Sequence, residues 1–260
     1  MNTAMVEVNS LGVSFGSTRV LHDVSLRLEA GQTIGVVGES GSGKSTLAKV
    51  LVGIVAPDAG SVVVDAFDVR TLGHSQRAAF RYRRRVQMIP QDPFSSLSPR
   101  RTVGQTLAEA LDPVWANVRR FEDRIAFWLE RVGLPADAMN RYPHEFSGGQ
   151  RQRVAIARSL ILEPSVVIAD EITSALDVSV QVQILEMIAE IKDELNVTMM
   201  FISHNLAVVQ SVSDMVAVMY QGEIVEIGSV EQIYSDPQHW YTKRLLDADP
   251  GAPGFSLEWR

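Results

Sequence analysis

Apolar and polar residues alternate in short runs from residue 5 to residue 30: Val6, Val8, Leu11, Val13 and Phe15, then Val20, Leu21, Val24, Leu26 and Leu28. Successive strand side chains point to opposite faces, so this period of two, broken at Gly16-Ser17, predicts two antiparallel strands joined by a turn. The following run, Thr33-Ile34-Gly35-Val36-Val37, does not alternate and predicts a buried strand. Ser45 to Leu51 then reads as a helix, stopped by Gly53 and Pro57, and Gly60 to Asp65 as another strand. A polar, Arg-rich helical segment leads to the short strand Val86-Gln87-Met88-Ile89. Pro90-Gln91-Asp92-Pro93 follows, a loop too proline-rich to be expected to be regular.

From about Ser96 to Leu162 the spacing turns helical. Thr102 to Leu111 and Phe121 to Val132 carry apolar residues three and four apart, and Gly133-Leu134-Pro135 interrupts them. Because this block breaks a strand–helix alternation, it predicts a helical subdomain, at about residues 96–162, inserted into an α/β core. Its last helix is expected over Arg151 to Leu162, with Ser147 as N-cap and Gly148-Gly149 leaving the helix N-terminus open to an anion. Val166 to Glu171 is an unalternated apolar run ending in two carboxylates, the pattern of a parallel strand covered on both faces. Asp177 is placed to cap a helix with Val180, Ile184, Ile188, Ile191 and Leu195 on one side, and Val197 to Ile202 is the next strand. Met215 to Tyr220 and Glu223 to Ile227 predict a closing hairpin at Gln221-Gly222; beyond Asp236, Pro237, Pro250 and Pro253 leave room for a short helix followed by loose chain.

Composition narrows the function. A chain of 260 residues with 46% hydrophobic and 21% charged residues can bury a sizeable core, and no apolar run approaches the roughly 20 residues that cross a bilayer, so a membrane role would run through a partner. The first ten residues lack a basic stretch followed by an apolar one, so no secretory signal is expected. The absence of cysteine excludes disulfides and thiolate metal sites and fits a cytosolic protein. A net charge of −7 argues against a nucleic-acid partner, and the basic cluster Arg81-Tyr82-Arg83-Arg84-Arg85 reads instead as a solvated helix face or a local docking patch.

The candidate chemistry centres on Gly38-Glu39-Ser40-Gly41-Ser42-Gly43-Lys44-Ser45-Thr46, a match to G-x-x-x-x-G-K-[ST] between a strand and a helix. Gly38, Gly41 and Gly43 let the backbone, Ser40 included, aim amides at phosphate oxygens. Lys44 is placed for the β- and γ-phosphates, Ser45 for Mg²⁺ and Thr46 for phosphate. Asp170, at the carboxyl end of a parallel strand, is placed to hold Mg²⁺, and Glu171 to orient and deprotonate the attacking water. His204 arrives at the same sheet edge, and Gln91 is placed to touch Mg²⁺ or that water. Phe15, 23 positions before Gly38, is either an adenine-stacking ring or an ordinary core residue.

In this order and at these distances, the phosphate loop, Gln91, Phe146-Ser147-Gly148-Gly149-Gln150, Asp170-Glu171, Ser174-Ala175-Leu176-Asp177 and His204 resemble the ATP-binding subunits of ABC transporters over nearly the whole chain. Within that family Gln91 to Pro99, Tyr142-Pro143-His144-Glu145, Ser174 to Gln181 and His239-Trp240-Tyr241-Thr242 are similar to the oligopeptide, dipeptide and nickel importer branch. The resemblance implies a P-loop NTPase (RecA-like) α/β core with an N-terminal antiparallel β subdomain and the inserted α-helical subdomain. An ABC ATPase domain would span residues 1–236 and a short tail 237–260. It implies ATP and Mg²⁺, and a second ATPase subunit placed head to tail, so that Ser147, Gly148, Gly149 and Gln150 of one copy complete the site of the other. His204 would contact the γ-phosphate, and the Gln91 loop would signal to transmembrane permease subunits at the cytoplasmic face of the membrane. An extracytoplasmic solute-binding protein would join indirectly. A soluble ABC ATPase acting on ribosomes or DNA is the alternative. Ile172 and Trp240 stand where the branch usually has proline, and the cysteine-bearing extension of some members is absent.

Overall fold

The computed structural model describes residues 4–248. The alternating segment forms β1 (Ala4–Phe15) and β2 (Thr18–Glu29), antiparallel with Val6 opposite Leu28 and Val8 opposite Leu26. β3 (Thr33–Val37) and α1 (Lys44–Leu51) flank the phosphate loop. β4 (Ala59–Val64) and the short β5 (Phe67–Asp68) complete an antiparallel sheet of order β2-β1-β4-β5. Next come α2 (Gln76–Arg85), β6 (Val86–Ile89), α3 (Pro93–Ser96), α4 (Val103–Leu111), α5 (Glu122–Arg131) and α6 (Gly148–Leu160). The chain continues through β7 (Val166–Asp170), α7 (Val178–Leu195), β8 (Thr198–Ile202), α8 (Leu206–Val212), β9 (Met215–Tyr220), β10 (Glu223–Ser229), α9 (Val230–Ser235) and α10 (Trp240–Asp247).

The second sheet has the order β10-β9-β3-β8-β7-β6, parallel throughout except for the edge strand β10. Its inner strands β3, β7 and β8 are buried at every position because both faces are covered, and they are apolar except at Thr33, Asp170 and Thr198. Ile34, Val36, Val166, Ile168, Met200 and Ile202 pack with α1 and the antiparallel sheet. Their neighbours Val37, Val167, Ala169, Met199 and Phe201 pack with residues of α4 to α8. The period of two therefore survives in the structure, hidden in the sequence by the absence of a wet face.

Local signals behave as their chemistry requires. Thr102, Ser147 and Ser229 each head a helix with a glutamine three residues on, and all three form reciprocal capping boxes. Gln221 (φ 47) and Gly222 (φ 86) turn the β9–β10 hairpin with the positive φ pair of a type I′ turn.

Four expectations change. The segment after Gln91 is not wholly irregular, since Pro93 starts a single helical turn, the position where its missing N–H has no partner to lose. The helix expected from Arg151 begins at Gly148. Asp177 sits at the N-cap of α7 without a side-chain cap bond. The arginine cluster is not a uniformly solvated face: Tyr82 is buried with its hydroxyl donating to the Leu51 carbonyl, Arg85 pairs with Asp65, and Arg84 donates to the Leu111 carbonyl at 3.1 Å. The loose chain expected after α10 lies outside the described residues.

Candidate active site

Parallel strands deliver their carboxyl ends to one edge, and register fixes which residues meet there. Val36 pairs with Ile202, Ile202 with Asp170, and Ala169 with Ile89, so the residues that follow β3, β8, β7 and β6 emerge side by side. The phosphate loop leaves β3 with Gly38 at φ 149; a Cβ there would stand 2.1 Å from the Met219 carbonyl oxygen, so only glycine lets the loop pass the end of β9. A cleft of about 300 Å³ is lined by Ser40, Gly41, Gly43, Lys44, Ser45 and Thr46 of this loop and by Gln91 and Glu171 across from it.

Lys44 is 5% exposed, and its Nζ donates to the carbonyls of Gly38 and Glu39, both at 2.8 Å. Burial holds its pKa below the usual lysine value, against the pull of Glu171 and Asp170. Asp170 is also 5% exposed, and burial pushes its carboxyl above the usual aspartate value although Ser45 donates to it at 3.4 Å. A buried carboxylate kept costly in this way, beside a hydroxyl oxygen, fits a hard cation. Among the described residues no cluster of three or more His, Asp or Glu is placed to hold a metal by itself.

Glu171 stands one residue beyond the strand at φ 47, so its side chain leaves the sheet's alternation and enters the cleft. Gln91 Nε2 donates to its Oε2 at 2.9 Å, and His204 Nδ1 lies 3.4 Å from the same oxygen. The turn after it is held without proline. Glu171 N–H donates to the Ile202 carbonyl at 2.9 Å, Ser174 N–H and Oγ both donate to the Glu171 carbonyl, and Ile172 is buried among the helical-side apolar residues. The departure at residue 172 is thus absorbed by packing.

Gln91, Lys44, Ser45, Asp170, Glu171 and His204 are brought together; Ser147 to Gln150 are not. They line a separate concavity of about 350 Å³ with Ala175, Leu176, Asp177 and Val180, which shares no residue with the first. There Ser147 Oγ accepts from Gln150 N–H, Gly148 faces open space, and Gly149 has Val180 so close that a Cβ would be 2.8 Å from its Cγ1. Phe15 is 52% exposed at the end of β1 and does not line the cleft, whereas Val20 of β2 does. Val20 carried no signal beyond strand alternation. Tyr241 stood in the sequence only within a tail motif, and the contact by which its hydroxyl accepts the Glu39 N–H at 2.9 Å was silent because the two lie 202 residues apart.

A family described as ABC transporter matches residues 21–174. A Brucella ovis protein carrying the name of a peptide import ATP-binding protein is 49% identical over 234 residues, 89% of this chain and 73% of its own length. The oligopeptide transport ATP-binding protein OppF of Haemophilus influenzae is 42% identical across 95% of this chain and 78% of its own. Among solved structures, cbiO1 from Clostridium perfringens, part of the ABC transporter complex cbiONQ, superposes with a TM-score of 0.80 at 25% identity, over 95% of this chain and 94% of that one.

Proposed function

The chain belongs to the ABC transporter family as one of its ATP-binding proteins, and from that premise we propose that it is the ATP-hydrolysing subunit of a peptide importer. The observation that carries the reading is the convergence of Lys44, Ser45, Gln91, Asp170, Glu171 and His204 on one sheet edge, with Ser147 to Gln150 held elsewhere. The loop amides and Lys44 bind the triphosphate, Lys44 exchanging its two carbonyl partners for phosphate oxygens. Ser45 and Asp170 would hold Mg²⁺, which supplies charge neutralisation for the phosphates. Glu171 takes the proton of the attacking water, Gln91 orients that water, and His204 faces the γ-phosphate. Phe15, exposed beside the cleft's strand, offers a face for the adenine.

One copy carries two half-sites. The second helix N-terminus, led by Ser147, serves the nucleotide of another ATPase subunit, placed head to tail. Coupling to permease subunits runs through the Gln91 loop. Arg158 of α6 donates to the Ser96 carbonyl at 2.7 Å and Ser159 to the Met88 carbonyl at 3.0 Å, so a shift at Gln91 is passed to the helix that Ser147 caps. Between these elements lies a groove of about 720 Å³, lined by Phe80, Met88, Leu111, Arg158 and the exposed Val114 among others, which suits a permease segment. No helix among the described residues is long and apolar enough to cross a membrane, and attachment at the cytoplasmic face through permeases follows from this reading.

The test is phosphate release from ATP with Mg²⁺ by the wild type and Lys44→Ala, in detergent-solubilised complexes with the permease subunits. Hydrolysis that is stimulated by the complex and lost in Lys44→Ala is expected. Hydrolysis unchanged by Lys44→Ala would end the assignment. A single cysteine at Val114, in a chain with no other, should cross-link to a permease segment; Leu97, being buried, cannot report.

A further inference from the structure

A glycine-rich loop binds phosphate well only if something outside it fixes the backbone, since each glycine adds conformational freedom that binding must remove. Two contacts from distant chain do so. The turn at Gly222 donates its N–H to the Ser42 carbonyl at 3.0 Å, on the hairpin side of the loop. Tyr241 of α10 accepts the Glu39 N–H at 2.9 Å, while the carbonyl of the same residue holds Lys44 Nζ. Glu39 is thereby held through both its N–H and its carbonyl, two residues before Gly41, where a Cβ would meet only open space.

The helix bearing Tyr241 is itself secured. Tyr241 is 2% exposed and its ring lies 4.3 Å, centroid to centroid, from that of Tyr220 at the end of β9. Glu226 of β10 accepts the N–H groups of Gln238 at 2.7 Å and His239 at 3.0 Å, and His239 Nδ1 accepts the Tyr241 N–H as the cap of α10. Trp240, at the first helical position where proline would preset φ, instead meets the Tyr220 ring edge to face at 5.5 Å. Burial raises the Tyr241 phenol above its usual pKa, so the hydroxyl stays neutral where ATP is used.

We propose that Tyr241 is a positioning residue for ATP binding: α10 is a strap that holds the phosphate loop in its binding arrangement through the Glu39 amide. This rests on the reading of residues 38–46 as the ATP site. Losing the hydroxyl leaves the loop sampling other arrangements, so apparent affinity falls by the fraction still competent, while bound ATP restores the working geometry and leaves turnover intact.

Tyr241→Phe removes only the oxygen and is compared with Tyr82→Phe, which loses a buried hydroxyl bonded to Leu51 far from the loop. In the full chain with its partners, Tyr241→Phe should raise KM for ATP and the Kd of a fluorescent ATP analogue by up to about tenfold, the scale of one buried hydrogen bond, with kcat nearly unchanged. Tyr82→Phe should lower the melting temperature and leave KM alone. Hydrogen exchange of the nucleotide-free chain should speed up at residues 38–43 in Tyr241→Phe only. Unchanged KM and Kd, a loss confined to kcat, or an equal KM rise in Tyr82→Phe would overturn the strap. If the wild type itself binds no ATP, the function reading fails, and the exchange rates still decide whether α10 fixes the loop.

Discussion

Replacing Glu171 by Gln separates its charge from its shape. The amide keeps an oxygen to accept from Gln91 Nε2, now 2.9 Å away, and the side chain is only about one-fifth exposed, so the neutral isostere preserves the local packing. What it loses is basicity, and among the described residues that line the cleft Glu171 is the only carboxylate. General-base catalysis contributes a factor of about 10² to 10⁴, or about 3 to 5 kcal/mol at 1.36 kcal/mol per decade. The sign for binding is opposite. The Glu171 charge acts on both Lys44 and Asp170, and a negative charge facing the γ-phosphate opposes the nucleotide. ATP affinity should therefore hold or rise, and the variant should accumulate as an ATP-bound dimer with itself or with its partner ATPase. Single-turnover phosphate release reads the first effect, nucleotide titration the second, and size-exclusion chromatography with ATP and Mg²⁺ the third. Hydrolysis within tenfold of wild type would remove Glu171 as the base. Weaker ATP binding would refute the charge argument, and lost hydrolysis without a dimer would count against the shared site.

Asp170→Asn should abolish Mg²⁺-dependent hydrolysis yet flatten the pH dependence of stability in the nucleotide-free chain. The folded pKa lies above the unfolded value near 3.8, so between the two the folded state holds more protons and stability falls as pH rises through that window; urea midpoints from about pH 4 to pH 8 should show that fall in wild type and not in the variant. Gly149→Ala puts a Cβ 2.8 Å from Val180 Cγ1 and should cost about 1 to 3 kcal/mol, measured by urea unfolding, with Val180→Ala restoring most of it in the double variant. Gly222→Ala, at φ 86 with a Cβ 2.3 Å from the Val20 carbonyl oxygen, should lower the melting temperature and raise the ATP Kd together, because the same turn holds the Ser42 carbonyl; a change in neither would dissolve that link.

What could be read from the sequence followed the reach of each signal. β3 and β6 were legible to the residue and β7 and β8 to within one, since strands buried on both faces are runs of Val, Ile, Ala and Met bounded by glycine, proline or carboxylates. Ser147 was legible as a cap because a capping box is a four-residue message. The start of α6 at Gly148 was missed because glycine propensity argues against a helix that the cap and the packing of Val154 and Ile156 enforce. The positive φ of Glu171 goes with the hydrogen bond its N–H donates to the Ile202 carbonyl on the next strand, a non-local contact with no local mark in the sequence. Tyr241 illustrates the limit best: its place in a tail motif was visible, but the amide it accepts belongs to the loop at the other end of the chain.

The same distances also explain why a single copy should turn over slowly. Lys44 donates to two carbonyls of its own loop, and Glu171 is engaged by Gln91 with His204 beside it. Each group is therefore ordered but committed elsewhere, and ATP must displace the Lys44 contacts before binding gains their full electrostatic worth. Freeing Glu171 needs Gln91 to move, and Gln91 belongs to the segment that Arg158 ties to the helix capped by Ser147. On the proposed reading, closure of a second subunit onto that helix N-terminus, or a permease pressing into the groove beside Met88, would act on this one mechanical path. Gln91→Ala should accordingly lower stimulation by the permease more than it lowers basal hydrolysis of the isolated chain, because loss of the water's orienting group is partly offset by release of the carboxylate whereas nothing offsets the cut path. A variant that lost basal and stimulated rates in equal proportion would show that Gln91 serves the chemistry alone.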